Sequence, residues 1–233
     1  MPMDCVRGGC GVGRLGFGGL LRNEQWKTLI EAGRMRVFQP GEQIIHQGQP
    51  DDSVYVLDRG NVKVSVTRSD GIETLVALRG AGEALGEFSA LSGLPRTATV
   101  RASGGRCTTF ALKGDRFRAL VRSMDLDRLL WKHIVRRQEE SEELRAELLA
   151  LDPRQRLAAS MLRFSTAPEP GDVGHTRELR LSQWELVGVV GRSRSWVQEE
   201  LRRLRRDGVV STGREVMVIH DVQRLRLLAA PKE

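Results

Sequence analysis

Residues 85–102 read LGEFSALSGLPRTATVRA, and this run decides how the chain is read. It holds a glycine, a carboxylate and, nine residues beyond the carboxylate, an arginine followed by a hydroxyl. Gly86 lets the backbone approach a ligand where a Cβ would clash. Glu87 can accept from a ribose hydroxyl. Arg96 offers a planar fork of donors to a phosphate, and Thr97 adds a hydroxyl beside it. A small anionic ribose-phosphate would find most of its partners here.

Gly-Glu at 86–87 and Pro-Arg-x-Ala-Thr-Val at 95–100 resemble the phosphate-binding cassette of cyclic-nucleotide-binding domains. The ordered combination at this spacing is far more specific than either pair alone. The resemblance implies a cyclic-nucleotide site made of Gly86, Glu87, Phe88, Arg96 and Thr97.

Working outward, residues 34–112 alternate Val, Ile, Leu and Thr between glycines, a β-rich pattern. The expected strands are 44–45, 54–57, 62–66, 74–78, 97–100 and 108–112, with Gly41, Gly48, Gly60, Gly71 and Gly82 at turns that need positive φ. Gly41, Ile44, Gly48, Tyr55, Val56, Gly60, Val62 and Val64 resemble the β-roll that precedes such a cassette. The β-roll domain is expected over 23–114, after a flexible tail over 1–22.

Residues 115–151 lose the glycines. Leu126, Leu130, Ile134, Leu144, Leu148 and Leu151 recur at helical spacing, so one long dimerisation or connector helix is expected over 115–151. Its middle, 136–143, is almost wholly polar and interrupts a continuous dimer seam. In the resembling family this helix pairs with its twofold mate and reaches the ligand from its centre. Arg137 and Ser141 fall where that role would place them, and a solvated helix face explains them equally well.

Asp152-Pro153 marks a hinge, Asp as N-cap and Pro at the first helical position. A winged helix-turn-helix is then expected over 152–233, with the APEPGDVGH loop separating its first helix from the rest. In LSQWELVGVVGRSRSWVQEELRRLRRDGVV, residues 181–210, Ser182 and Glu185 form a capping box and Val187 and Val190 supply an inner face. Gly191 makes the turn, Ser193 caps the second helix, and Gly208 suits its left-handed end. Val197, Leu201 and Leu204 face inward. A helix of this diameter fits the major groove. Ser182, Ser193, Arg194, Ser195, Gln198, Glu199 and Arg202 are the candidate DNA contacts.

The Val-Gly-x-Ser-Arg run at 190–194 and Leu-Arg-Arg-Leu-x-x-x-Gly-Val at 201–209 resemble the DNA-binding domain of the cyclic-AMP receptor protein and FNR family. Both motifs come in family order, and the resemblance spans residues 34–228. It implies an α+β chain: β-roll, dimerisation helix and winged helix-turn-helix. The implied function is a homodimeric regulator controlled by cyclic AMP or cyclic GMP, with double-stranded DNA and RNA polymerase as partners. Threonine after the cassette arginine occurs in sites for either nucleotide, so cyclic AMP is favoured only from the domain pairing. Where the family commonly reads its half-site with Arg-Glu and a later arginine, this chain has Arg194, Ser195 and Glu199. Arg194 suits guanine, Ser195 is permissive and Glu199 suits a cytosine amino group.

Composition agrees with a polyanion partner, with net charge +7 over 233 residues and a denser surplus in the C-terminal part. No apolar run approaches the roughly 20 residues that span a bilayer, and a cytoplasmic location is expected. Cys5, Cys10 and Cys107 supply too few thiols within one chain for a four-cysteine iron–sulfur cluster. His46, His133, His175 and His220 lack metal-ligand spacing, and no P-loop or nucleophile–base pair occurs, so neither a metal site nor an enzyme such as a nucleotide hydrolase is expected. The remaining alternative keeps DNA binding but makes it independent of nucleotide or responsive to another effector.

Overall fold

The computed structural model describes residues 13–165, 176–213 and 216–230. Antiparallel strands β1 (Arg34–Phe38), β2 (Gln43–Ile45), β3 (Val54–Thr67), β4 (Glu73–Arg79), β5 (Ala84–Leu85) and β6 (Thr99–Leu112) form one six-stranded sheet. Its path is β1-β6-β3-β4, with β2 pairing β6 and β5 pairing β3. Side chains alternate across the pleat, so Val54 and Val56 enter one core with Phe117 and Leu120, while Leu57, Val62, Val100 and Cys107 enter another. Burial pushes the Cys107 thiol up to about 11, which suits a packing role.

The turn glycines take φ between 81° and 99°. The two strands expected on either side of Gly60 are nevertheless one 14-residue strand. Register shifts on both sides of Arg59 bend β3 there, and a Cβ on Gly60 would lie 2.7 Å from the Arg106 carbonyl oxygen. A bulge bends the strand without ending it. The expected strands 97–100 and 108–112 likewise merge into β6, which starts at Thr99 and leaves Thr97 in the cassette loop.

Two helical expectations need correction. Of the tail expected over 1–22, residues 1–12, with Cys5 and Cys10, lie outside the described residues, but 13–22 are packed. Helix α1 (Gly16–Gly19) buries Phe17 against Phe117 at a ring distance of 6.2 Å. Arg14 donates to the Gly18 and Leu21 carbonyls and to Asn23 Oδ1, and its guanidinium sits over the Trp26 ring of α2 (Asn23–Ala32). Gly and Arg look like linker composition, but one buried phenylalanine contributes about 1.5–3 kcal/mol and fixes the segment. The single helix expected over 115–151 is two: α4 (Gly114–Ser123) and α5 (Asp127–Ala150). Asp125 between them has φ 53°, a left-handed turn that Asp tolerates, and Leu126 is fully buried beside it.

Asp152 caps α6 (Pro153–Phe164), accepting from the Arg154 and Gln155 amides while Gln155 Oε1 accepts from the Asp152 amide. The APEPGDVGH loop and His175 lie outside the described residues. Beyond it, α7 (Gln183–Val190) and α8 (Arg194–Arg206) form the helix-turn-helix, followed by α9 (Val222–Ala229). The wing is a three-stranded sheet in the order β7 (Arg177–Leu179), β9 (Met217–Ile219), β8 (Val210–Thr212). Strand β7 was not expected, since three residues give no readable alternation. The inner face of α7 comes from Leu186, Val189 and Val190, with Val187 only partly covered. The two halves touch: Leu75 of β4 joins the helix-turn-helix core, and Lys63 Nζ lies 2.6 Å from Glu185 Oε1.

Candidate functional site: a nucleotide-sized cavity and a DNA-facing helix

Folding brings Gly86, Glu87, Phe88, Arg96, Thr97, Arg137 and Ser141 to the wall of one cavity of about 480 Å³. The cassette forms one side. α5 closes the other, and Ile45, Val64 and Val66 supply apolar wall between them. A short helix α3 (Glu87–Ser92) follows Gly86, whose φ is 85°. No side chain fits at Gly86: a Cβ would lie 2.2 Å from Arg96 Nη1 and 2.8 Å from the Ser53 carbonyl oxygen.

Arg96 is 3% exposed. Its Nη1 donates to the Gly86 carbonyl, and its Nη2 donates to Asp51 Oδ2 and to the Ser53 carbonyl, all within 3.0 Å. Its main chain is clamped as well, since the Arg96 amide donates to the Gln49 carbonyl and Gly48 donates to the Arg96 carbonyl. The guanidinium therefore enters the cavity wall at a fixed angle, with Nε–H and one Nη1–H not spent on these three acceptors. Against the upward push of partial burial, Arg96 and the Ser53 donors hold the Asp51 carboxyl below its usual range.

Behind the cassette lies a buried charge cluster that no local pattern announces. Glu83, 6% exposed, accepts from Arg137 Nη2 at 2.9 Å. Arg137 Nε donates to His133 Nε2 at 3.4 Å and stands 4.0 Å from Glu87 Oε1. His133 Nε2 is 3.4 Å from the same Glu87 oxygen, and its ring packs 5.9 Å from Phe17. Arg137, which a solvated helix face explained equally well, is thus a partly buried anchor between α5 and the cassette. A Cβ on Gly16 would fall 1.7 Å from Glu83 Oε2, so α1 also seals this cluster.

Burial pushes the Glu83 carboxyl up from 4.5 to about 7, with Arg79 and His133 pulling it down and Glu87 and Glu140 pushing it further up. A raised carboxyl favours the folded state while protonated. Its contribution is complete below pH 4.5 and is lost as pH rises through about 7, on the order of 3 kcal/mol in all. Glu83→Gln is expected to flatten that part of the pH dependence. Urea unfolding of both proteins at several pH values from 4.5 to 8 checks it, and parallel curves would refute the assignment.

Sequence reading missed Arg79, Gln138, Glu140 and Arg145, which line the same cavity. Arg79 on β4 and Glu140 on α5 are ion-paired across 61 residues of chain. Only the tertiary approach of β4 to α5 makes them neighbours.

At the other end of the molecule, Arg192, Ser193, Arg194, Ser195, Glu199 and Arg202 are exposed around the start and outer face of α8. Several candidate contacts are partly engaged. Ser182 Oγ accepts from the Glu185 amide and donates to its carboxylate, and Ser193 Oγ accepts from the Trp196 amide. Gln198 is half-buried, 3.5 Å from Gln183 Oε1. Glu199 faces Arg202 at 3.0 Å and Arg206 at 3.9 Å, so its charge is locally compensated. Trp184 is 69% exposed, and the Arg194 guanidinium lies 5.7 Å from its ring centre. Both line a groove of about 410 Å³ between the helix-turn-helix and the wing. Trp196 packs against the domain core.

Among the described residues no cluster of His, Cys, Asp and Glu could hold a metal ion, and no helix is long and apolar enough to cross a membrane.

Each half of the chain matches a known family model. Residues 35–124 match the cyclic nucleotide-binding domain model, and residues 155–228 match the Crp-like helix-turn-helix domain model. The cAMP-activated global transcriptional regulator CRP of Salmonella typhimurium is 25% identical over 179 residues, 76% of this chain and 85% of the relative. The cyclic AMP receptor protein of Thermus thermophilus is 27% identical over 210 residues, 90% of this chain and 94% of that one. In structure, the c-di-GMP responsive global regulator CLP of Xanthomonas campestris superposes with a TM-score of 0.74 at 21% identity, covering 86% of this chain and all of its own. With a sensor sheet, a long helix and a winged helix-turn-helix matched in order, the chain belongs to the Crp/Fnr family of DNA-binding transcriptional regulators.

Proposed function

We propose that the protein is a homodimeric transcription regulator whose DNA affinity is set by a 3′,5′-cyclic nucleotide bound between the cassette and α5. The observation that carries this is the convergence of three separate stretches, 86–88, 96–97 and 137–141, on one cavity, with the Arg96 guanidinium fixed in its wall, where we assign it the phosphate, and Glu87 beside it, which we assign the ribose. Cyclic AMP is the effector suggested by the names of the relatives. A ligand touching both the β-roll and α5 binds more tightly to one arrangement of the two, and that difference is the whole of the switch. Fluorescence anisotropy of an operator selected from random DNA, with and without cyclic nucleotide, tests it. Equal affinity in both conditions supports the nucleotide-independent reading instead.

The dimer is supported by α5. Leu126, Leu130 and Ile134, which carry the helical period, pack on the helix's own domain. Trp131, Val135 and Leu149 are instead exposed at 66%, 51% and 90%, on one stripe of a helix that repeats every 3.6 residues. Gln138, Glu142 and Arg145 stand between them on that stripe, so the seam is apolar at its ends and polar beside the cavity.

Arg194, exposed at the start of α8 and stacked on Trp184, is the residue we assign to a guanine. Arg194→Ala is expected to cost about 1–3 kcal/mol per half-site and to relax selection at one base position. Repeating the random-pool selection with this variant checks it. An unchanged consensus would remove Arg194 from the base-reading set.

A further inference from the structure

The wall of the cavity contributed by β4 and α5 carries charge where an adenine pocket needs little. Arg79 lines it and is ion-paired to Glu140, which lines it too, and Gln138, Ser141 and Arg145 lie along the same stretch of α5. The Arg79 pairing uses Nη2 alone. Its neighbouring donor on the same edge of the guanidinium, Nε–H, is buried without any hydrogen-bond partner. A buried donor left unpaired is costly, so this edge has an unmet demand for a second acceptor.

Purine bases differ in what they offer such a wall. Guanine presents O6 and N7, two acceptors side by side that match an arginine edge, whereas adenine presents N7 beside a 6-amino donor. The other edge of guanine carries N1–H and the 2-amino group, both donors, which a carboxylate accepts. Adenine offers only an acceptor at N1 and the same 6-amino donor, so an arginine beside it meets a donor and a carboxylate gains one contact at most. An Arg–Glu pair that opens around a base exchanges its ion pair for a full set of contacts with guanine and an incomplete one with adenine.

We infer that Arg79 and Glu140 form a guanine-reading pair, Arg79 donating to O6 and N7 and Glu140 accepting from N1–H and the 2-amino group, so that the preferred effector is cyclic GMP. The inference rests on the cavity being the nucleotide site. With the cassette holding phosphate and ribose, the base reaches the β4–α5 wall, and a cavity of about 480 Å³ suits a single mononucleotide.

Calorimetric titration of the full-length protein with cyclic GMP and cyclic AMP tests the pair, using wild type, Arg79→Lys and Glu140→Gln. Wild type is expected to bind cyclic GMP about tenfold or more tightly than cyclic AMP. Arg79→Lys keeps the charge but loses the planar edge, and should bring the two nucleotides to within about threefold. Glu140→Gln should weaken cyclic GMP selectively, and unfolding curves matching wild type show that each variant is folded. Wild type binding cyclic AMP as tightly as cyclic GMP, or a preference that survives both substitutions, would overturn the inference and leave the nucleotide site standing. Binding of neither nucleotide would overturn the proposed function and this inference with it.

Discussion

Arg96→Ala is expected to abolish measurable cyclic-nucleotide binding, weakening it by about a hundredfold or more. The estimate comes from the hydrogen bonds lost. A bond between a guanidinium and a charged oxygen is worth about 1.5–3 kcal/mol, and after Gly86, Asp51 and Ser53 are served Nε–H and one Nη1–H, on different edges of the guanidinium, stay unspent, so at least one such bond and the positive charge facing the phosphate are lost together. Water can replace the guanidinium at Asp51, which is 47% exposed, and an unfolding curve of the variant reads what the loss of the Gly86 and Ser53 contacts costs the fold. Gly86→Ala supplies an independent check with the guanidinium retained. Its Cβ would press on Arg96 Nη1 at 2.2 Å from a backbone at φ 85°, so it should displace the fork and reproduce much of the loss. Calorimetry measures the affinity and anisotropy measures the DNA response. Nucleotide affinity within about threefold of wild type for Arg96→Ala would refute the phosphate role.

The second large effect is expected at the seam. Trp131→Glu should turn the proposed dimer into monomers, raising the dissociation constant by about a thousandfold. A tryptophan buries about 150–250 Å² when covered, and twofold symmetry counts the loss twice. At about 25 cal/mol per Å² the gross loss exceeds the roughly 4 kcal/mol that a thousandfold requires, which leaves room for the costs of association. Two glutamates brought together across the axis add repulsion. Sedimentation equilibrium reads the oligomeric state directly, and affinity for an operator with two half-sites should fall with it. The nucleotide site of each chain should persist, because Trp131 is 66% exposed and does not line the cavity. A dimer constant within tenfold of wild type would move the interface off this stripe.

These expectations divide according to how far apart in the chain the interacting groups stand. Gly86 and Arg96 were legible because the cassette is one short run, in which a left-handed glycine and a returning arginine meet across ten residues. The Asp152 and Ser182 caps were legible for the same reason, each satisfying amides two or three residues along. The break at Asp125 escaped, because a polar residue in a helical pattern carries no mark that its φ will be positive. The packing of 13–22 escaped too, since glycine-rich composition hides the one phenylalanine that finds a hydrophobic socket.

By itself the sequence determined the caps and the helix-turn-helix turn, which rest on spacing within a single segment, and its resemblance to a known family supplied the cassette, the two domain types and their order. Tertiary structure alone decided that Arg137 is a partly buried anchor for Glu83, that Trp131 and not Leu130 faces outward, and that Arg79 meets Glu140 in the cavity wall. Local hydrogen bonding and periodicity fix the first set. The second depends on which surfaces the sheet and the returning helix bring into contact, and partners separated by 54 or 61 residues leave no mark of that meeting in either local stretch.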